Sequence, residues 1–280
     1  METNALYYGD NLDILRRHIP DNSIDLIYLD PPFNSKATYN VLFKEPTGES
    51  SQAQITAFED TWHWGEEAER TFQEIVYHAP AKVIDMMNAF RSFIGSNDVM
   101  AYLTMMCNRL LELRRVLKDT GSIYLHCDPT ASHYLKILMD TIFGVKSFQN
   151  EIAWCYRAGG VPKKGYPRKH DILLFYTKGK DFIFNPEYIP YTAGTLQRGL
   201  TQVKGKYFDK GLRKEGTPIQ DWWIDIQKVL SPTAKEMLGY PTQKPVALLE
   251  RIVSISSNKG DVVLDPVSYT HLRAHETSLH

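Results

Sequence analysis

The chain has 280 residues, 43% of them hydrophobic and 23% charged, and carries a net charge of −1. That length buries a full core, as one large domain or one domain with a sizeable insertion, and no apolar run approaches a membrane span. METNALYYGD lacks the basic start and apolar centre of a signal peptide, and Cys107, Cys127 and Cys155 are too sparse for a disulfide framework or a zinc site, which fits a reducing cytoplasm.

LYYGDNLDILRRHI predicts a short strand, a turn at Gly9-Asp10-Asn11, and an amphipathic helix on Leu12, Leu15 and Ile19, capped by Asp10 or Asn11. In NSIDLIYLDPPFNS, Ile24, Leu26, Ile27 and Leu29 form the nearly unbroken apolar run of a strand covered on both faces. Pro31 and Pro32 have no N–H for a ladder, so the strand ends at Asp30. The carboxyl edge of an open α/β sheet is where ligands bind. Residues 36–66 read as a long loop, and helical patterning returns from about 67 to 117.

Lys118-Asp119-Thr120-Gly121 reads as a stop signal, after which SIYLHCD makes a second strand ending in an acidic residue before proline. A helix follows to Gly144, and then NEIAWCY and DILLFYT predict a strand pair joined by the basic loop RAGGVPKKGYPRK. Periodicity weakens over 185–235. In YPTQKPVALLERIVSISSNKGDVVLDP, Thr242 is the expected helix cap, Asn258 and Gly260 the stop, and VVL a last strand closing at Asp265-Pro266. Strands alternating with helices in this way predict a doubly wound α/β sheet.

The net charge hides an asymmetry. Residues 157–214 hold 13 Lys and Arg against 4 Asp and Glu, a local +9 set against −10 elsewhere. Tyr166, Phe175, Tyr176, Phe182, Phe184, Tyr188, Tyr191, Tyr207 and Phe208 lie among these cations. Clustered cations with interleaved aromatics make a polyanion surface, although a solvated face with core aromatics has the same composition.

DPPF at 30–33 resembles the catalytic motif of the DNA amino-methyltransferases, which move a methyl group from S-adenosylmethionine to adenine N6 or cytosine N4. YYGDNLDIL, GSIYLHCD, NEIAWCYR, YPTQKPVALLERI and VVLDP extend the resemblance over most of the chain, in the order of the permuted beta group. The resemblance implies a Rossmann-like methyltransferase sheet, permuted and incomplete at its C-terminus, with an inserted basic target-recognition segment. The corresponding parts are a catalytic half (1–156), a recognition region (157–235) with a strand near 170–177, and the start of a cofactor half (236–266). Implied partners are double-stranded DNA, a restriction subunit and a second copy of the chain, with no membrane.

The chemistry suits these residues. Adenine N6 is a poor nucleophile because its lone pair is delocalised into the ring. Acceptors on its two N–H bonds let it pyramidalise, and Asp30 with the Pro31 carbonyl supplies two, while Phe33 stacks on the base and Pro32 stiffens the turn. Extrusion from the duplex costs about a few kcal/mol, and stacking offsets roughly 1–3 of it. Direct displacement from the sulfonium then relies on positioning and electrostatics. By similarity Asp10, Asp30, Thr242, Lys244 and Asp265 lie near S-adenosylmethionine, while a helix cap for Asp10 and a solvated helix-start lysine for Lys244 remain open. Trp62 and Trp64 suggest a lid or, more simply, packing; His126 and Cys127 read as ordinary strand residues.

After VVLDP the family continues with a glycine-rich turn, roughly F-x-G-x-G-T, but this chain reads VSYTHLRAHETSLH. That tail resembles translated sequencing-adapter DNA, so residues 267–280 are expected to be non-native and the chain as written to bind S-adenosylmethionine weakly and lack activity. Adenine N6 is the favoured acceptor, because cytosine enzymes of the family more often carry Ser at the position of Asp30. A non-catalytic DNA-binding remnant is the competing class, whereas no G-x-G-x-x-G follows the first strand to suggest a dehydrogenase.

Overall fold

The computed structural model describes residues 4–31, 63–157, 160, 162–198, 212–229, 236, 237 and 243–267. In chain order these form α1 (Asn11–His18), β1 (Ile24–Leu29), α2 (Glu66–His78), α3 (Ala81–Ile94), α4 (Asp98–Val116), β2 (Leu117–Cys127) and α5 (Ser132–Phe143). There follow β3 (Phe148–Cys155), β4 (His170–Thr177), β5 (Tyr188–Ile189), α6 (Ala193–Arg198), β6 (Thr217–Pro218), β7 (Trp222–Trp223), α7 (Val246–Ser256) and β8 (Val263–Leu264).

Six strands form one sheet in the order β7-β3-β4-β2-β1-β8. β1 runs parallel to both β2 and β8, whereas β4 is antiparallel to β2 and β3, so the doubly wound sheet is mixed rather than uniformly parallel. All six residues of β1 are buried; five are hydrophobic, and the sixth, Asp25, is paired with Lys118 at 2.7 Å. Alternation divides Leu26 to Leu29 between two cores. Ile27 and Leu29 face the layer of α1 to α5, while Leu26 and Tyr28 pack with Tyr124, Trp154, Phe175 and the α7 residues Leu248 and Ile252.

Local chemistry explains the helix boundaries. Asp10 caps α1 by accepting from the Leu12 N–H at 2.7 Å, and Arg16, Arg17 and His18 occupy the last turn, where the dipole favours cations. Asn97 caps α4, which is buried on nearly every side and forms the centre of the larger core. Gly144 ends α5 as expected.

Three expectations need correction. Residues 6–8 do not form a strand; Leu6 and Tyr8 are exposed, and among the described residues no strand pairs with them. Lys118–Gly121 does not stop the chain but lies within β2, where the register against β1 shifts between Ile24 and Leu26. Gly121 permits that irregularity, since a Cβ there would stand 2.6 Å from Leu117 Cδ1 and 3.0 Å from the Asp25 carbonyl oxygen. Finally, α7 has Pro245 at its N-cap, with an extended backbone, rather than the expected Thr242, which lies outside the described residues. The residue before a proline is driven away from helical geometry.

Candidate active site

Strand direction brings distant residues to one edge of the sheet. Asp30 follows the carboxyl end of β1, and His126 and Asp128 lie at the matching end of β2. Because β4 is antiparallel, its beginning lies at this same edge: Cys127 pairs with Ile172, and Cys155 at the end of β3 pairs with His170. Asp171 and Tyr156 therefore join Asp30 and His126, and Asp265 ends the neighbouring strand β8.

Asp30 is held by Lys244, whose Nζ lies 2.5 Å from Oδ2; each side chain is only 8% exposed. Lys244 comes from the TQKP segment just before α7, so the two halves of the sequence meet at this ion pair. The fully buried His126 lies on the other side of Asp30, with Nδ1 3.9 Å from Oδ1. That same Nδ1 is 2.8 Å from the Tyr28 hydroxyl, and Nε2 is 3.3 Å from Asp171 Oδ2. Asp171 also accepts from the Tyr156 hydroxyl at 2.7 Å and pairs with Lys228 at 3.2 Å. Trp154 closes the group edge-on to His126 at 5.6 Å, its indole N–H donating to the Ile226 carbonyl at 2.8 Å.

The electrostatics follow from these contacts. Burial and then the charge of Lys244 lower the His126 pKa, so the imidazole is neutral at neutral pH. Burial alone would raise the Asp171 carboxyl, but the hydrogen bond from His126, the charge of Lys228 and the hydrogen bond from Tyr156 hold it below the usual carboxylate range. Burial pushes Tyr28 well up, with the charges of Asp30 and Asp265 adding to the effect. Among the described residues, Lys244, Lys228, Asp30 and Asp171 thus surround a neutral imidazole.

The other expected residues are placed as follows. Pro31 is buried directly after Asp30. Asp10 is a helix cap that also takes a 2.8 Å ion pair from Arg109; Arg109 bonds Asn11 at 2.7 Å, and Asn11 donates to the Pro266 carbonyl at 3.0 Å. The GDN turn is thereby tied to the end of β8, beside Asp265. Lys244 contacts Asp30 rather than standing as a solvated helix-start residue. Trp64 packs edge-on to Phe72 at 6.0 Å beneath Arg91, a packing role. Pro32, Phe33, Trp62 and Thr242, and all of the tail beyond Val267, lie outside the described residues.

Sequence reasoning missed His126, Asp171, Tyr156 and Lys228. A signal existed: His126 and Asp171 are the polar members of IYLHC and DILLFY, and a polar group in an apolar strand must find a partner.

A family model described as DNA methylase, covering the N6 and N4 amino-methyltransferases, matches residues 24–269. The chain belongs to this DNA methylase family. It is 27% identical over 268 residues to the DNA adenine methyltransferase YhdJ of Escherichia coli K12, covering 95% of this chain and 71% of that protein. It is 28% identical over 268 residues to the type II methyltransferase M.BamHI of Bacillus amyloliquefaciens, covering 95% of this chain. Against M.HpaI of Haemophilus parainfluenzae it is 33% identical over 167 residues, covering 59% of this chain. The chain spans about half the length of the last two relatives, 49% and 48% respectively. The fold matches that of the cytosine-N4-specific PvuII DNA methyltransferase with a TM-score of 0.54 at 13% identity, over 98% of this chain and 79% of that one.

Membership in the methylase family brings S-adenosyl-L-methionine as methyl donor. Asp30 and Asp265 follow adjacent parallel strands at the carboxyl edge of the sheet, where ligands of open α/β sheets bind.

Proposed function

We propose that the protein methylates adenine N6 in double-stranded DNA at a specific sequence, within a restriction–modification system. The observation that carries this reading is Asp30, a buried carboxylate kept beside Lys244 at the ligand edge of the sheet and followed by the first of two prolines. A carboxylate so held accepts an N–H bond from an exocyclic amine, and the Pro31 carbonyl is the second acceptor. Bound S-adenosylmethionine supplies an electrophilic methyl group, and the residues of this chain supply orientation. With its hydrogens held, the amine directs its lone pair along the line of displacement. The new N–C bond forms as C–S breaks, and the surplus proton passes to Asp30 and then to water. No strong base is needed, because the amine becomes acidic only after methylation.

Three further features support the reading. Asp rather than Ser occupies position 30, and the E. coli relative matching 95% of this chain is an adenine methyltransferase. The +9 segment over 157–214 suits a DNA backbone. The type II relatives suggest a restriction partner in the same cell, with the cytoplasm as the site of action.

The test is to express two forms in a host without adenine or cytosine amino-methylation. One is the chain itself; the other exchanges residues 267–280 for the corresponding segment of YhdJ. Modified bases are then mapped in host DNA. The expected result is N6-methyladenine at one sequence context, lost in Asp30→Ala. Methyl groups on cytosine N4 instead would overturn the choice of acceptor. Unmodified DNA from both forms, each folded, would overturn the activity.

A further inference from the structure

Arg109 lies within α4 with its side chain only 10% exposed, and burying a guanidinium is costly unless its donors are matched. Its planar fork spans two neighbouring residues of the GDN turn: Nη2 donates to Asp10 Oδ2 at 2.8 Å and Nε to Asn11 Oδ1 at 2.7 Å. Capping of α1 uses the other Asp10 oxygen, which takes the Leu12 N–H at 2.7 Å. The fork therefore adds what the cap does not require, the orientation of the Asn11 amide. That amide faces one way, because the guanidinium can only donate and the Pro266 carbonyl, 3.0 Å from Nδ2, can only accept.

Pro266 follows Asp265 beyond the ladder of β8, whose pairs with β1 are Val263 with Leu26 and Leu264 with Ile27. This turn lies at the carboxyl edge of the sheet, next to the strand that Asp30 follows. Asn11 thus holds the turn from outside the sheet.

We propose that Arg109 and Asn11 are positioning residues of the S-adenosylmethionine site. Arg109 fixes the Asn11 amide, and the amide holds the Pro266 carbonyl so that the turn carrying Asp265 keeps one place beside the end of β1. Arg109 acts from 98 positions away, through Asn11. A lysine at 109 has no fork to span the two acceptors, and an aspartate at 11 still accepts from Arg109 but offers Pro266 no hydrogen. The role concerns the methyl donor and is independent of which base is the acceptor.

The test reads donor binding and the order of the turn without DNA. Calorimetry with S-adenosylmethionine is run on the chain and on the form carrying the YhdJ segment at 267–280, and the variants are made in whichever binds. Asn11→Asp keeps the shape of the side chain and places an acid in the first turn of α1, which the helix dipole favours, so the protein should fold. It should weaken S-adenosylmethionine binding by about tenfold or more, the effect of losing one ordering hydrogen bond. Hydrogen exchange at residues 263–265 of the ligand-free protein should quicken. The uncharged Asn11→Leu and the forkless Arg109→Lys should behave alike. Arg115→Met is the control on the same helix: Arg115 ties α4 to the far end of α1, donating to the Leu15 carbonyl at 2.7 Å and the Ile19 carbonyl at 3.2 Å. Its loss should lower stability and leave affinity unchanged. Parental affinity in Asn11→Asp, or unchanged exchange at the end of β8, would overturn the proposal. So would an equal loss of affinity in Arg115→Met, which would mark the effect as general destabilisation, or no binding by either parental form. If Arg109→Lys fails to fold, Asn11→Asp decides. A wrong choice of acceptor base would leave all of these outcomes as they are, since no DNA is present.

Discussion

Replacing Lys244 with Met keeps much of the aliphatic stem and removes the cation from a pair in which both side chains are 8% exposed. At 2.5 Å the gross attraction is about 7 kcal/mol with an effective dielectric constant of about 20. Much of it offsets the desolvation of the two groups, so the net loss is smaller. The variant also has an escape: Asp30 can take up a proton. For a carboxylate with an ordinary pKa of about 3.9, that costs about 4 kcal/mol at pH 7 and about 1.5 kcal/mol at pH 5. Protonation therefore limits the penalty of the unpaired charge, and Lys244→Met should destabilise by about 2–4 kcal/mol at pH 7 and by clearly less at pH 5. The sign is fixed by linkage. In the variant the folded-state pKa of Asp30 lies above its unfolded value, so stability is lost as pH rises between the two. Urea unfolding of parent and variant at both pH values measures the gap. A protonated Asp30 donates where it should accept, so methyl transfer by the variant should recover as pH rises. A loss below about 0.5 kcal/mol at pH 7, or equal losses at the two pH values, would refute the buried-pair account.

Arg251 should matter for a different reason. Its guanidinium spans Glu187, with both contacts at 2.9 Å, and Asp225 at 3.0 and 2.5 Å, fastening these two residues to α7. Because the acids are partly exposed, Arg251→Met should cost about 1.5–3 kcal/mol in urea unfolding, and limited proteolysis should first open residues near 187 or 225. Acid should weaken the parent protein in two steps. His126 is depressed below 6.5 by burial, so the unfolded chain takes up a proton as pH falls through that value while the folded chain does not, and stability declines. Asp171, also depressed, adds a second loss at lower pH, as its carboxylate is protonated. Thermal melts from pH 7 to 5 should show the first step, and His126→Gln should remove it. Gly179→Ala should cost about 1–3 kcal/mol in the same melts, because a Cβ there would press into the Asp119 carbonyl.

Much of the sheet edge that carries the candidate site was legible because its signals are local. A strand covered on both faces is apolar at nearly every position, and a proline cannot continue a ladder, so IDLIYLDPP announces both β1 and its end at Asp30. The caps at Asp10 and Gly144 and the paired strands NEIAWCY and DILLFYT follow from equally short-range chemistry. Gly121 shows the limit of such reasoning. Its freedom to approach other atoms reads as a turn in sequence, yet the chain uses it for an irregularity inside β2.

What the sequence determined by itself is the carboxylate at the strand end, the order of the motifs and the basic segment, since each is written in contiguous residues. Tertiary structure alone decided that Lys244, 214 positions away, grips Asp30, and that Asp171 reaches His126 across 45 positions. Those partners are chosen by strand direction and register. Because β4 runs antiparallel to β2, the start of one meets the end of the other, and no local pattern of residues encodes that meeting.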